Sequence, residues 1–93
     1  MDALATGPVA QEMLRRLKAL QPSSIQLIDD SEKHRGHAGH DGSGESHFTV
    51  EIEAIVFAGM SRIQRQRAVN AALGDLMQER IHALSIRARA PGE

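Results

Sequence analysis

The sequence predicts a small α+β domain with the element order α-β-β-α-β, a three-stranded mixed sheet and helices packed on one face. Three observations carry that prediction. Apolar residues recur at helical spacing near the N-terminus (Ala10, Met13, Leu14, Leu17, Leu20) and again at Val69, Ala72, Leu73, Leu76 and Met77. Between and after these stretches the period switches to two: Phe48, Val50, Ile52, Ala54 and Val56 alternate with polar residues, as do Leu84, Ile86 and Ala88. With 93 residues, 41% of them hydrophobic and 25% charged, the chain is long enough for one modest core and too short for two.

Residues 1–7 read as a flexible arm, 8–90 as a single domain and 91–93 as a tail. Pro8 suits the first turn of a helix, because the N–H it lacks is not needed there, and Pro22 ends that helix after Leu20. Ser24 to Ser31, with Ile25, Leu27 and Ile28, reads as a short strand closed by Asp29 and Asp30. Residues 32–45 (EKHRGHAGHDGSGE) contain no apolar side chain larger than Ala38 and predict a long mobile loop, of a length usually associated with function or disorder. Ser46 to Phe57 forms the strongest strand signal, broken by Gly59. Ser61 with Gln64 three residues later predicts a capping box opening the second helix, which runs toward Arg80. Ile81 to Ala90 supplies the last strand, and a crossover through a helix makes it parallel to the second.

Composition excludes several functions. The chain has no cysteine, so it offers neither a disulfide framework nor a thiolate, and soft-metal chemistry would need histidine or a partner. A formal charge of −1 gives no bulk pull toward nucleic acid, and two Phe with no Tyr or Trp provide no base-stacking platform. Neither a spanning helix nor a signal peptide is legible, which predicts a soluble, cytoplasmic protein with no membrane partner. No enzyme is expected. Asp29 and Asp30 are strand neighbours pointing to opposite faces and cannot form a dyad, and neither a nucleophile elbow nor a phosphate-binding glycine pattern occurs.

The histidines are the sharpest feature. His34, His37 and His40 stand at three-residue spacing in the loop, His47 enters the second strand and His82 the third. Neutral imidazole is a common metal ligand, so the loop run by itself admits zinc, copper or nickel, or mere solvation. His82 shares the parity of Leu84, Ile86 and Ala88, which aims it at the covered face; His47 shares that of Thr49 and Glu51 and reads as structural or surface. Arg62, Arg65 and Arg67 suggest a basic face, but their angular positions place Arg62 and Arg65 near the apolar stripe and Arg67 well round the helix. On that reading Arg65 lays its stem along the core edge.

Asp30-Ser31 followed by His34, then Gly44-Glu45-Ser46-His47-Phe48, Phe57-Ala58-Gly59, Arg65-Gln66-Arg67 with Val69-Asn70, and Ile81-His82-Ala83-Leu84 together make the chain resemble the BolA family, from the first helix to Ala90. The resemblance implies a fold similar to class II KH domains and a partnership with a monothiol glutaredoxin. It also implies a shared [2Fe-2S] cluster, with thiolates from glutaredoxin and glutathione on one side and histidine from this chain on the other. Carried onto this sequence, the C-terminal ligand is His82 and the loop ligand His34, with His37 as the alternative. Histidine in place of cysteine on one iron is established iron–sulfur chemistry. The expected role is iron–sulfur trafficking or iron-status regulation. The family usually carries Arg-His-Arg where this chain has Arg65-Gln66-Arg67. The resemblance implies, as a second reading, a DNA-binding transcriptional regulator using the second helix and following strand, with Arg62, Arg65 and Arg67 on its surface; weak homodimerisation completes the expected partners.

Overall fold

A computed structural model of the chain describes residues 7–30 and 47–93. Helix α1 spans Pro8–Leu17, with proline in its first turn and Val9, Ala10, Met13 and Leu17 buried. The last three residues of the expected helix, Lys18–Leu20, tighten into a 3₁₀ turn that ends at Gln21, in the left-handed region at φ 54°. Gln21 precedes Pro22, and the proline ring disfavours a helical conformation there.

Strands β1 (Ser24–Asp29), β2 (His47–Glu53) and β3 (Ala83–Arg89) form one sheet with β2 in the centre. The β1–β2 pair is antiparallel, with Leu27 opposite Val50, and the β2–β3 pair is parallel, with Val50 opposite Ile86. The mixed sheet and the parallel return of the last strand match the sequence prediction. Phe48, Val50 and Ile52 of β2 are buried in a core shared with Met13, Leu17, Val69 and Leu73, so the helices cover one face. The opposite face carries cross-strand ion pairs, Glu51 with Arg87 at 3.6 Å and Glu53 with Arg89 at 3.0 Å.

The second strand is shorter than its alternation predicts. It ends at Glu53, after which Ala54 donates to the Arg89 carbonyl and Ile55–Phe57 form a 3₁₀ turn. The period changes from two to three at this point. Phe57 therefore swings into the core, while Val56, expected to face inward, is 43% exposed.

Helix α2 (Arg62–Leu73) begins with the predicted capping box: the Gln64 N–H donates to Ser61 Oγ at 3.1 Å, and the Ser61 N–H donates to Gln64 Oε1 at 2.8 Å. It does not continue to Arg80. Gly74 adopts φ 58°, and a short helix α3 (Leu76–Glu79) follows. Ile81 belongs to that helix end rather than to the strand, because its N–H donates to the Leu76 carbonyl. The helices are tied together at this break by Arg16, which donates to the Leu73 carbonyl at 2.8 Å and to Asp75 at 2.6 Å.

Candidate functional site

The parallel register sets His47 opposite Ala83, the first residue of β3. The residue just before Ala83 therefore lies beside the entry of β2, and that residue is His82. Its ring meets the His47 ring edge to face, with centroids 5.8 Å apart and planes at 86°. His82 is exposed and His47 half-buried. This corrects the parity argument, which aimed His82 at the covered face. Strand alternation governs residues held by the ladder, and His82 precedes the first ladder pair. His47, read as structural or surface, is half-buried and is the ring against which His82 rests. The signal that could have joined them was the parallel crossover, once its register was known.

The described chain leaves the sheet at Asp30 and re-enters at His47, and the two are hydrogen-bonded: the Asp30 N–H donates to the His47 carbonyl at 2.7 Å. Thr49 Oγ1 donates to the Asp30 carboxylate at 2.5 Å, which fixes the exit of β1 against β2. The ends of the segment bearing His34, His37 and His40 thus sit at the same end of the sheet as His82. Those three histidines, and the predicted loop over 32–45, lie outside the described residues. Among the described residues no three His, Asp or Glu side chains gather as a metal site. What this end of the sheet can offer is an accessible imidazole, braced by a second, that can donate a nitrogen lone pair to a metal held by another molecule.

The arginines separate as their helix angles predict. Arg65 is half-buried and fully engaged: Nε donates to the Met60 carbonyl and Nη1 to the Ala88 carbonyl, each at 3.1 Å. Its fork also grips the Glu93 carboxylate, at 2.5 and 2.7 Å. Arg65 and the Ala90 N–H together pull the Glu93 carboxyl down to about 2. Arg62 and Arg67 are exposed. Arg62 and Arg65, with Met60, Gln66, Ile86, Arg87 and Ala88, line an open groove of about 450 Å³ between α2 and β3; Arg67 is not part of it. Arg87 of β3 also borders the groove.

The chain matches the family model described as BolA-like protein over residues 17–93. It is similar to an uncharacterized Sinorhizobium protein in the cobS 5′ region, at 44% identity over 78 residues, covering 83% of this chain and 84% of that one. It is similar to human BolA-like protein 1 at 40% identity over 90 residues, covering 96% of this chain but only 63% of the human protein's length. Among solved structures, the BolA domain of SufE1 from Arabidopsis thaliana superposes with a TM-score of 0.82 at 33% identity, covering 94% of this chain and 96% of that one.

Proposed function

Because the chain belongs to the BolA family, we propose that it is a non-enzymatic adaptor that binds a monothiol glutaredoxin and lends His82 to a [2Fe-2S] cluster held between them. The observation that carries this reading is the exposure of His82 at the sheet end from which the histidine-bearing segment departs and to which it returns. The donor set fits a shared site rather than a private one. A cysteine-free chain can supply imidazole but no thiolate, and the remaining ligands then come from glutaredoxin and glutathione. His82 is the ligand from the described part of the chain, with His34 or His37 as the second. His47 restricts the His82 ring by edge contact, and neighbours of this kind tune a ligand's orientation. When bound, the cluster supplies a one-electron centre and a transferable iron–sulfur unit, so the adaptor serves iron–sulfur trafficking or iron-status signalling in the cytoplasm.

The second reading, a DNA-binding regulator, draws on the α2–β3 face. Its central cation is already closed by Glu93 and Arg67 lies off the groove, so the arginines do not align for a phosphate backbone.

The test is to mix the apo-protein with a cluster-loaded monothiol glutaredoxin and glutathione, and to record visible circular dichroism for the wild type and His82→Ala. The expected result is a new cluster spectrum that requires His82 while the far-ultraviolet spectrum stays unchanged. A spectrum identical with and without His82 overturns the assignment.

A further inference from the structure

The groove between α2 and β3 already holds a carboxylate, and that carboxylate belongs to the chain itself. Glu93 meets Arg65 through both oxygens, and Oε1 also accepts the Ala90 N–H at 3.0 Å. The planar guanidinium is fixed from behind by the Met60 and Ala88 carbonyls, so its free edge is presented in one orientation. Such a fork recognises carboxylate geometry rather than bare charge.

The surroundings extend this contact into a receptor. Arg62 lies exposed on one wall, and among the described residues no ion pair engages it. Arg87 borders the groove from the edge strand, while its side chain is 74% exposed and pairs at 3.6 Å with Glu51 on the other face of the sheet. Met60, Ile86 and Ala88 give the floor an apolar strip beside the cations. Two guanidiniums, Arg62 and Arg65, beside apolar surface match a side chain with a carboxylate head and a methylene stem.

The geometry points to this groove as a docking site for an acidic, glutamate-bearing segment of a partner protein, with Glu93 as an intramolecular occupant that the segment displaces. A carboxylate occupant favours a peptide over a nucleic acid, since the bidentate contact is in place for that group and no aromatic side chain lines the groove for a base to stack on. Displacement requires Glu93 to leave, and its side chain is 42% exposed and held by hydrogen bonds rather than by core packing. The groove begins at Ile86, whereas His82 precedes the strand; four residues of extended chain separate them by about 13 Å. The two surfaces are therefore independently mutable, and this inference stands whether or not His82 ligates a cluster.

The experiment is a calorimetric titration of the full chain with an acetylated tetraglutamate peptide, against tetraglutamine, inorganic phosphate and an oligothymidine of matched charge. A binding-competent groove that is mostly closed reduces apparent affinity by the closed fraction, so Glu93→Ala is expected to tighten tetraglutamate binding about five- to tenfold. Arg62→Gln and Arg65→Lys in the Glu93→Ala background should remove that gain, and Arg67→Gln should leave it unchanged. Tetraglutamate binding that Glu93→Ala does not strengthen overturns the proposal. Equal binding of tetraglutamine, phosphate or oligothymidine overturns the assignment to an acidic peptide. Because Glu93→Ala truncates a side chain that lies outside the core and leaves Arg65 bound to the Met60 and Ala88 carbonyls, its outcome stands even if Arg65→Lys fails to fold.

Discussion

At the scale of single residues, position relative to the ladder outweighs residue type. Phe57 and Val56 are neighbours in an apolar run, yet the first is fully buried and the second largely open because a 3₁₀ turn rather than a strand carries them. Phe57→Ala is expected to cost about 3–5 kcal/mol, the range for truncating a buried aromatic. Ile55→Ala, at a site 77% exposed, should stay within about 0.5 kcal/mol. Urea denaturation of the two variants measures both. The same principle explains the two histidines: His82 escapes the alternation that its neighbours obey and rests on His47. If His47 positions the ligand ring, His47→Ala weakens cluster retention about tenfold in the shared complex, and His47→Phe, which preserves an aromatic edge, restores it. Loss that phenylalanine does not rescue would remove His47 from that role.

At the scale of elements, boundaries depend on the turns that interrupt periodic patterns. The Ser61–Gln64 box was readable directly, since it is a local device four residues long. Ser61→Ala should lower stability by about 1 kcal/mol, seen as a reduced urea midpoint with an unchanged slope. The break at Gly74 was not readable, because the apolar spacing of Val69, Leu73, Leu76 and Met77 continues across it. Gly74 sits at φ 58°, ψ −131°, a region that side chains rarely enter. A Cβ there would stand 3.4 Å from Arg16 Nη1, an ordinary contact with a flexible end, so the penalty comes from the backbone. Gly74→Ala is therefore expected to cost about 1–3 kcal/mol even with Arg16 shortened to Ala. A cost that vanishes in the Arg16→Ala background would place the penalty in the contact instead.

At the scale of the whole molecule, carboxylates stabilise the fold both within a helix, as Glu12 does in α1, and between elements distant in sequence, as Glu53 and Glu93 do. Glu12 is held below its usual range by hydrogen bonds from Arg16 and then Arg15, Glu53 by Ser23 and then Arg89, and Glu93 by Arg65 and then Ala90. Each has a folded-state value below its unfolded one, so its contribution is present above the ordinary carboxyl value of 4.5 and is lost as the pH falls through the folded value, about 2 for Glu93. Urea midpoints should therefore drop between pH 5 and pH 2, and Glu93→Gln should flatten the acid end of that curve. An unchanged curve in the variant would show that the Arg65–Glu93 contact does not persist in solution. The sequence by itself determined the fold class, the strand order implied by a helical crossover, the buried face of each long element, the helix cap and the family. Only the tertiary structure decided that β2 ends at Glu53, that His82 meets His47, and that Glu93 closes on Arg65. The physical reason is one of range. Periodicity records which side of one element is dry, a local property, whereas these contacts depend on the register of strands and the path of turns that bring distant residues to the same point.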